Sequence, residues 1–249
     1  MTRPMDHLLS LASILATATS LLATQAAPVA FTHGSTGYDI SFPQCGGAYP
    51  GGAFGIIGVN GGYPFEHYNP CLADEYAHSP HAALYINTGY DPLYTQVDGI
   101  HTIPACLTKS AAVKGSPDQK AAWAVGCSEA SRSIAYAASQ GVARPGGWWL
   151  DVETENSWSS TDVSLNHYTI QGLVDRLHQA SSAVGIYSTG YQWHTITGGL
   201  PVTGVKANWV ATGNLSAEGA QAHCGTGFSG APVWLVQYIQ GGFDTNYAC

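Results

Sequence analysis

Eight short apolar segments, set apart by stretches that favour helix or turn, constrain this chain more than any other feature. GYDIS, FGIIGVN, AALYINT, WWLDVE, AVGIYST, NWVAT, VWLVQY and GFDTNY are rich in β-branched or aromatic residues with turn-forming flanks, the pattern of short strands. Between the third and fourth lies PDQKAAWAVGCSEASRSIAYAASQG, where Ala content favours helix, Pro117 suits a first turn and Gly141 a stop. NHYTIQGLVDRLHQAS predicts a second helix, with Ile170, Leu173, Val174 and Leu177 on one buried face and Asn166 capping its start. Another helix is expected within residues 64–78, around CLADEYAH. Strand, helix, strand at this spacing argues for parallel β/α units. Eight strands favour a closed barrel over a doubly wound sheet, since no glycine-rich phosphate loop follows a strand. The helical pattern fades after Gly199. The expected fold is α/β: an irregular (β/α) TIM-like barrel whose last strands lack full helices.

The N-terminus reads as a secretory signal peptide over residues 1–26: Arg3, an apolar core from Leu8, then small residues and a cut after Ala26. Residues 27–249 are then expected to form one barrel domain, secreted and extracellular. No later stretch reaches the roughly 18 apolar residues a transmembrane helix needs. Six cysteines suit an oxidising compartment. Of the 15 pairings that six thiols allow, the sequential one is expected: Cys45–Cys71, Cys106–Cys127 and Cys224–Cys249. No Cys-x-x-Cys occurs, which disfavours zinc ribbons and thioredoxin chemistry.

A formal net charge of −8, with eight Lys and Arg and no basic cluster, excludes the usual partners of basic proteins. Neither nucleic acid nor an anionic membrane is an expected partner. Abundant Gly, Tyr and Trp with few charges suits a carbohydrate-handling protein, although secreted Gly-rich domains in general share it. A polysaccharide is the expected partner, the protein a monomer, and no cofactor is expected.

The segment GGWWLDVETENSW, residues 146–158, brings carboxylates into a strand. Side chains alternate across a strand, so Trp149, Asp151 and Glu153 share one face while Trp148, Leu150 and Val152 share the other. The second set suits packing under helices. The first would point into the barrel with its acids at the carboxyl end, where β/α barrels place active sites. Asp39 at the end of the first strand and Asp244 in the last would join them. Glu155 lies beyond the strand and is expected to be solvated. Asn60, Asn87, Trp149, Tyr187, Trp209, Gln237 and Tyr238 are candidate substrate-binding residues, each with a packing or backbone-satisfying role as its alternative.

GYDIS, FGIIGVNGG, WLDVE and the terminal VWLVQY…FDTN resemble glycoside hydrolase family 25, the Chalaropsis-type lysozymes. The segments NPCL, WWLDVET and VGIYST are more similar still to secreted actinobacterial barrel proteins of that type. The family resemblance implies an irregular (β/α) barrel and cleavage between N-acetylmuramic acid and N-acetylglucosamine in peptidoglycan. It implies Asp39, Asp151 and Asp244 as site carboxylates and Glu153 as proton donor to the leaving oxygen. Two departures stand out. Asn60 follows the second strand where the family has an acid-containing segment, and NTGY follows the third where an aromatic and His-containing run is usual. The groove is therefore expected to differ.

Glycoside hydrolysis needs one protonated carboxyl and one ionised carboxylate, and clustered acids push each other's pKa apart. Strand rise puts Cα atoms two residues apart at roughly 6.6 Å, between the retaining and inverting ranges, so the stereochemistry stays open. With an N-acetylated sugar, the acetamido carbonyl would be the nucleophile and Asp151 its electrostatic support. Two other classes remain: a catalytically silent glycan-binding barrel, and a calcium or magnesium site built from Asp39, Asp151, Glu153 and Asp244. His78 and His81 form at best a weak metal pattern, and no Gly-x-Ser-x-Gly elbow supports a serine hydrolase.

Overall fold

A computed structural model describes residues 31–213 and 216–249; the expected signal peptide lies outside them. All eight expected strands form: β1 Thr36–Ile40, β2 Gly55–Gly58, β3 Ala83–Asn87, β4 Trp148–Asp151, β5 Val184–Ser188, β6 Ala207–Ala211, β7 Val233–Gln240 and β8 Phe243–Ala248. They close into a barrel in sequence order. β1 to β7 run parallel, but β8 is antiparallel to both neighbours. The departure from an all-parallel barrel has a simple cause. Only Gly241 and Gly242 separate β7 from β8, and a parallel crossover needs a dozen or more residues where a hairpin needs two.

The helices are α1 Leu72–His78, α2 Pro104–Ser110, α3 Pro117–Ser139, α4 Val163–Gln179, α5 Gly190–Thr197 and α6 Ala217–Gln221. α6, which follows Gly199, has only five residues, as the fading pattern predicts. α3 starts on a capping box in which Ser116 and Gln119 satisfy each other's backbone N–H, and Pro117 occupies its first turn. One helix expectation is corrected. α4 is capped by Asp162, which accepts from Ser164 N–H at 2.9 Å, while Asn166 lies inside the helix and bonds Ser159 and Ile196. The helix expected within 64–78 around CLADEYAH forms at Leu72–His78; it does not reach further back, where Pro70 disfavours helix before it and Phe65 takes a left-handed φ of 66°.

The strand alternation sorts the core as expected. Trp148, Leu150 and Val152 face outward and pack with Ile170, Leu173, Val174 and Leu177 of α4, each full burial of a large aliphatic side chain stabilising by roughly 2 kcal/mol. Trp149, Trp209, Phe54, Tyr187, Ile56 and Leu235 fill the barrel interior. At Gly185 an added Cβ would lie 2.2 Å from the Trp149 ring, so the absent side chain is what lets the indole cross the barrel. α3 and α4 meet backbone to backbone: a Cβ on Gly126 would sit 1.9 Å from Thr169 O, and one on Gly172 2.1 Å from Trp123 O. Three disulfides join Cys45–Cys71, Cys106–Cys127 and Cys224–Cys249, the sequential pairing. No helix of the described residues is long and apolar enough to cross a membrane.

Candidate active site

The carboxyl ends of the parallel strands surround a cleft of about 320 Å3 lined by Asp39, Tyr85, Asn87, Asp151, Glu153, Tyr187, Trp209, Gln237 and Asp244. Because β8 runs the other way, its first residues lie at this end, which brings Asp244 to the rim. Asp39, Asn87, Asp151 and Tyr187 point inward from the last turns of pleat of β1, β3, β4 and β5, with Asn87, Asp151 and Tyr187 in register. Glu153 stands on the loop immediately after β4.

Asp39 is held by amides. Gln237 Nε2 donates to both of its oxygens at 3.1 Å, and Asn246 Nδ2 donates to Oδ2 at 2.7 Å. Each amide is oriented from behind: Tyr187 Oη donates to Gln237 Oε1 at 2.7 Å and Trp209 Nε1 to Asn246 Oδ1 at 2.7 Å. Tyr187 and Trp209, expected to contact sugar, therefore also fix which end of each amide faces the acid. Burial and the nearby Asp244 charge push the Asp39 carboxyl up to about 7 against those donors.

Asp151 is buried beside Glu153. Asn87 Nδ2 donates to its Oδ2, and Oδ1 has no partner among the described residues. Burial, then the Glu153 charge, raise Asp151 well above the usual carboxylate range. Glu153 is raised by burial and by Glu155, and lowered by Asp151, Gln192 and Tyr187. Two carboxyls this close are best occupied by one shared proton, and they titrate as a pair. Asp244 is also raised by partial burial. Glu155 is exposed, as expected, and accepts from Gln192.

Three expected contact residues lie elsewhere. Trp149 faces inward but one step below Asp151, in the interior core. Tyr238 follows inward-facing Gln237, so it faces outward into a cluster with Val233, Val236 and Tyr247. Asn60 is fully buried behind the mouth, its amide bonded to the Asn87 backbone and to Glu129. Tyr85 and Asn246 were not among the expected residues. Each lies two positions from one that was, Asn87 and Asp244, and the period of two carries the signal.

Among the described residues no group of three or more His, Cys, Asp or Glu is arranged to hold a metal ion. The chemistry agrees with this, since the oxygens of Asp39 are faced by N–H donors, which repel a cation. The cleft gathers four carboxyls with no compensating Lys or Arg on its lining. Such a site can donate a proton to one substrate oxygen while stabilising positive charge next to it.

A family profile described as lysozyme-like protein 1 matches residues 125–221. The bacterial lysozyme of Streptomyces coelicolor superposes with a TM-score of 0.53 at 18% identity, covering 88% of this chain and 93% of that one. The chain has a lysozyme barrel fold. The spore cortex lytic enzyme SleM of Clostridium perfringens is similar in the same way, with a TM-score of 0.51, 12% identity and coverage of 86% and 67%. No curated protein sequence matches the chain. The lysozyme-like barrel is thus the one the sequence motifs imply.

Proposed function

We propose that this protein is a secreted glycoside hydrolase that cleaves N-acetylated cell-wall glycan in the manner of a peptidoglycan muramidase. The observation that carries the reading is the Asp151–Glu153 pair, two neighbouring carboxyls, both raised by burial, at the mouth of a lysozyme-like barrel. The similarity to a bacterial lysozyme and a spore cortex lytic enzyme supports the substrate class. The three disulfides support an exported protein.

In this reading Glu153 gives its proton to the glycosidic oxygen as the bond from that oxygen to C1 breaks. The carbonyl oxygen of the neighbouring N-acetyl group bonds to C1 and the positive charge spreads onto the acetamido nitrogen. Asp151, ionised when the shared proton sits on Glu153, a form that the Asn87 donor favours, accepts from that N–H. Water then attacks C1, its proton returns to Glu153, and the acetamido group is released. Asp39 and Asp244, where ionised, favour a developing cation in the cleft, while burial and the Glu155 charge raise Glu153 toward its protonated form. A covalent glycosyl-enzyme through Asp or Glu would contradict the acetamido step.

The substrate bond is tested by digesting purified peptidoglycan, reducing the new ends with borohydride and identifying them by mass. Reduced N-acetylmuramic acid is the expected end. Reduced N-acetylglucosamine would show that the other glycosidic bond is cut.

A further inference from the structure

Glu129 is a carboxylate that the chemistry above does not use, and it is 2% exposed in the middle of α3. Among the described residues it has no ion-pair partner. Its neighbour Arg132 donates instead to the carbonyls of Gly99 and His101, and the Tyr68 hydroxyl close by has no partner among the described residues. A buried acid without a cation is costly, so its contacts identify what it holds. Oε1 accepts from Asn60 Nδ2 at 3.1 Å and from Ser133 Oγ at 3.2 Å, and Oε2 accepts from Phe65 N–H at 2.9 Å. Phe65 keeps its left-handed backbone, unusual for an aromatic residue, on that bond.

The consequence runs toward the cleft. β2 ends at Gly58, which leaves the Asn87 backbone at the end of β3 without a strand partner on that side. The Asn60 side chain takes the place of the strand. Its Nδ2 donates to Asn87 O at 2.9 Å and its Oδ1 accepts from Asn87 N–H at 2.8 Å. Ionised Glu129 can only accept, so in that form it fixes which end of the Asn60 amide faces it. Asn87, clamped through both backbone groups, then directs its own amide onto Asp151 Oδ2.

We propose that Glu129 is a positioning residue for Asp151, acting through Asn60 and Asn87 to keep a hydrogen-bond donor on Asp151 Oδ2. The role rests on reading Asp151 and Glu153 as the working acid pair. Its effect is to favour the ionised form of Asp151 and so to shift the shared proton toward Glu153.

Glu129→Gln keeps the shape but introduces an NH2 that must face either Asn60 Nδ2 or Phe65 N–H, and neither can accept. The sign of the outcome separates two mechanisms. Removing a negative charge through space lowers the pKa of nearby carboxyls, whereas releasing the Asn87 donor raises that of Asp151. The other groups facing the pair, Asp39, Asp244, Glu155, Tyr187 and Gln192, are unchanged by the substitution.

The experiment is a 13C titration of the side-chain carboxyls in the full, disulfide-intact chain, comparing native protein with Glu129→Gln, Asn87→Ala and the double variant. The Asp151–Glu153 pair is expected to titrate higher by roughly half a pH unit or more in each single variant. The double variant should titrate no higher than Asn87→Ala alone, because both changes remove the same donor. An unchanged or lowered midpoint in folded Glu129→Gln would overturn the proposal, and so would additive shifts in the double variant. If Glu129→Gln does not fold, Asn60→Ala replaces it, with the same rise expected and the same contrary result. The titration needs no turnover, so a protein that cleaves no glycan fails the proposed function without deciding this point.

Discussion

At the scale of single residues, the period of two along each strand decides what reaches the cleft. Asp39, Asn87, Asp151 and Tyr187 were legible because each ends or nearly ends a strand on its inward face. Gln237 and Tyr238 are adjacent, so only one could face inward, and β7 turns Gln237 there. Trp149 has the right face but the wrong height, and height along a barrel depends on how strands stagger, which a sequence does not display. Asn60 lies past the end of β2, where alternation no longer applies. The amide pair on Asp39 was hidden for another reason: it joins β1 to β7 and β8, residues about two hundred positions apart. Asp244 is the most exposed of the four acids and contributes to the raised Asp39. Asp244→Asn is therefore expected to lower the Asp39 midpoint from about 7 and to raise Tm at pH 7.5, read by carboxyl titration and thermal melts. A rise in the Asp39 midpoint would show that Asp244 acts otherwise.

At the scale of elements, the strands were legible from composition and the long helices from Ala content and one apolar face. The antiparallel β8 was equally visible, since two glycines cannot carry a parallel crossover, yet the repeated strand and helix pattern argued against it. The α3–α4 crossing was not legible. Gly126 and Gly172 look like ordinary helix weaknesses until each is seen against the backbone of the other helix. Gly172→Ala raises helix propensity by about 1 kcal/mol but forces the helices apart. Because backbone atoms cannot swing aside, a net loss of about 2 kcal/mol is expected, a Tm lower by about 4–8 °C. A variant as stable as the native protein would mean that the two helices separate at little cost. An exposed helix position such as Ser139→Ala on α3 is the control, with a change within about 0.5 kcal/mol.

At the scale of the whole molecule, the barrel concentrates acids that prefer to be protonated. Asp39 and Glu129 are both pushed up to about 7, burial being the main cause, with Asp151, Glu153 and Glu75 raised as well. Their unfolded values lie near 4, so between about pH 4 and 7 the native state binds more protons than the unfolded chain. Stability must then fall as pH rises through that window. Asp98 acts in the opposite sense, lowered to about 2 by the N–H groups of His101 and Ile100, and its contribution is lost below about pH 4. Thermal melts should give a maximum near pH 4–5 and a Tm at pH 7.5 lower by at least about 3 °C; a flat or rising profile would contradict the raised carboxyls. In the proposed reaction the same raised carboxyls supply the proton that Glu153 gives as an acid. The most direct test follows new reducing ends from purified peptidoglycan with the disulfide-intact native protein and its Glu153→Gln variant. Release by the native protein that falls by roughly 10²–10⁴ in the variant is the expected result. Equal release by both proteins would remove Glu153 from the acid role, and no release by the native protein would contradict the hydrolase itself.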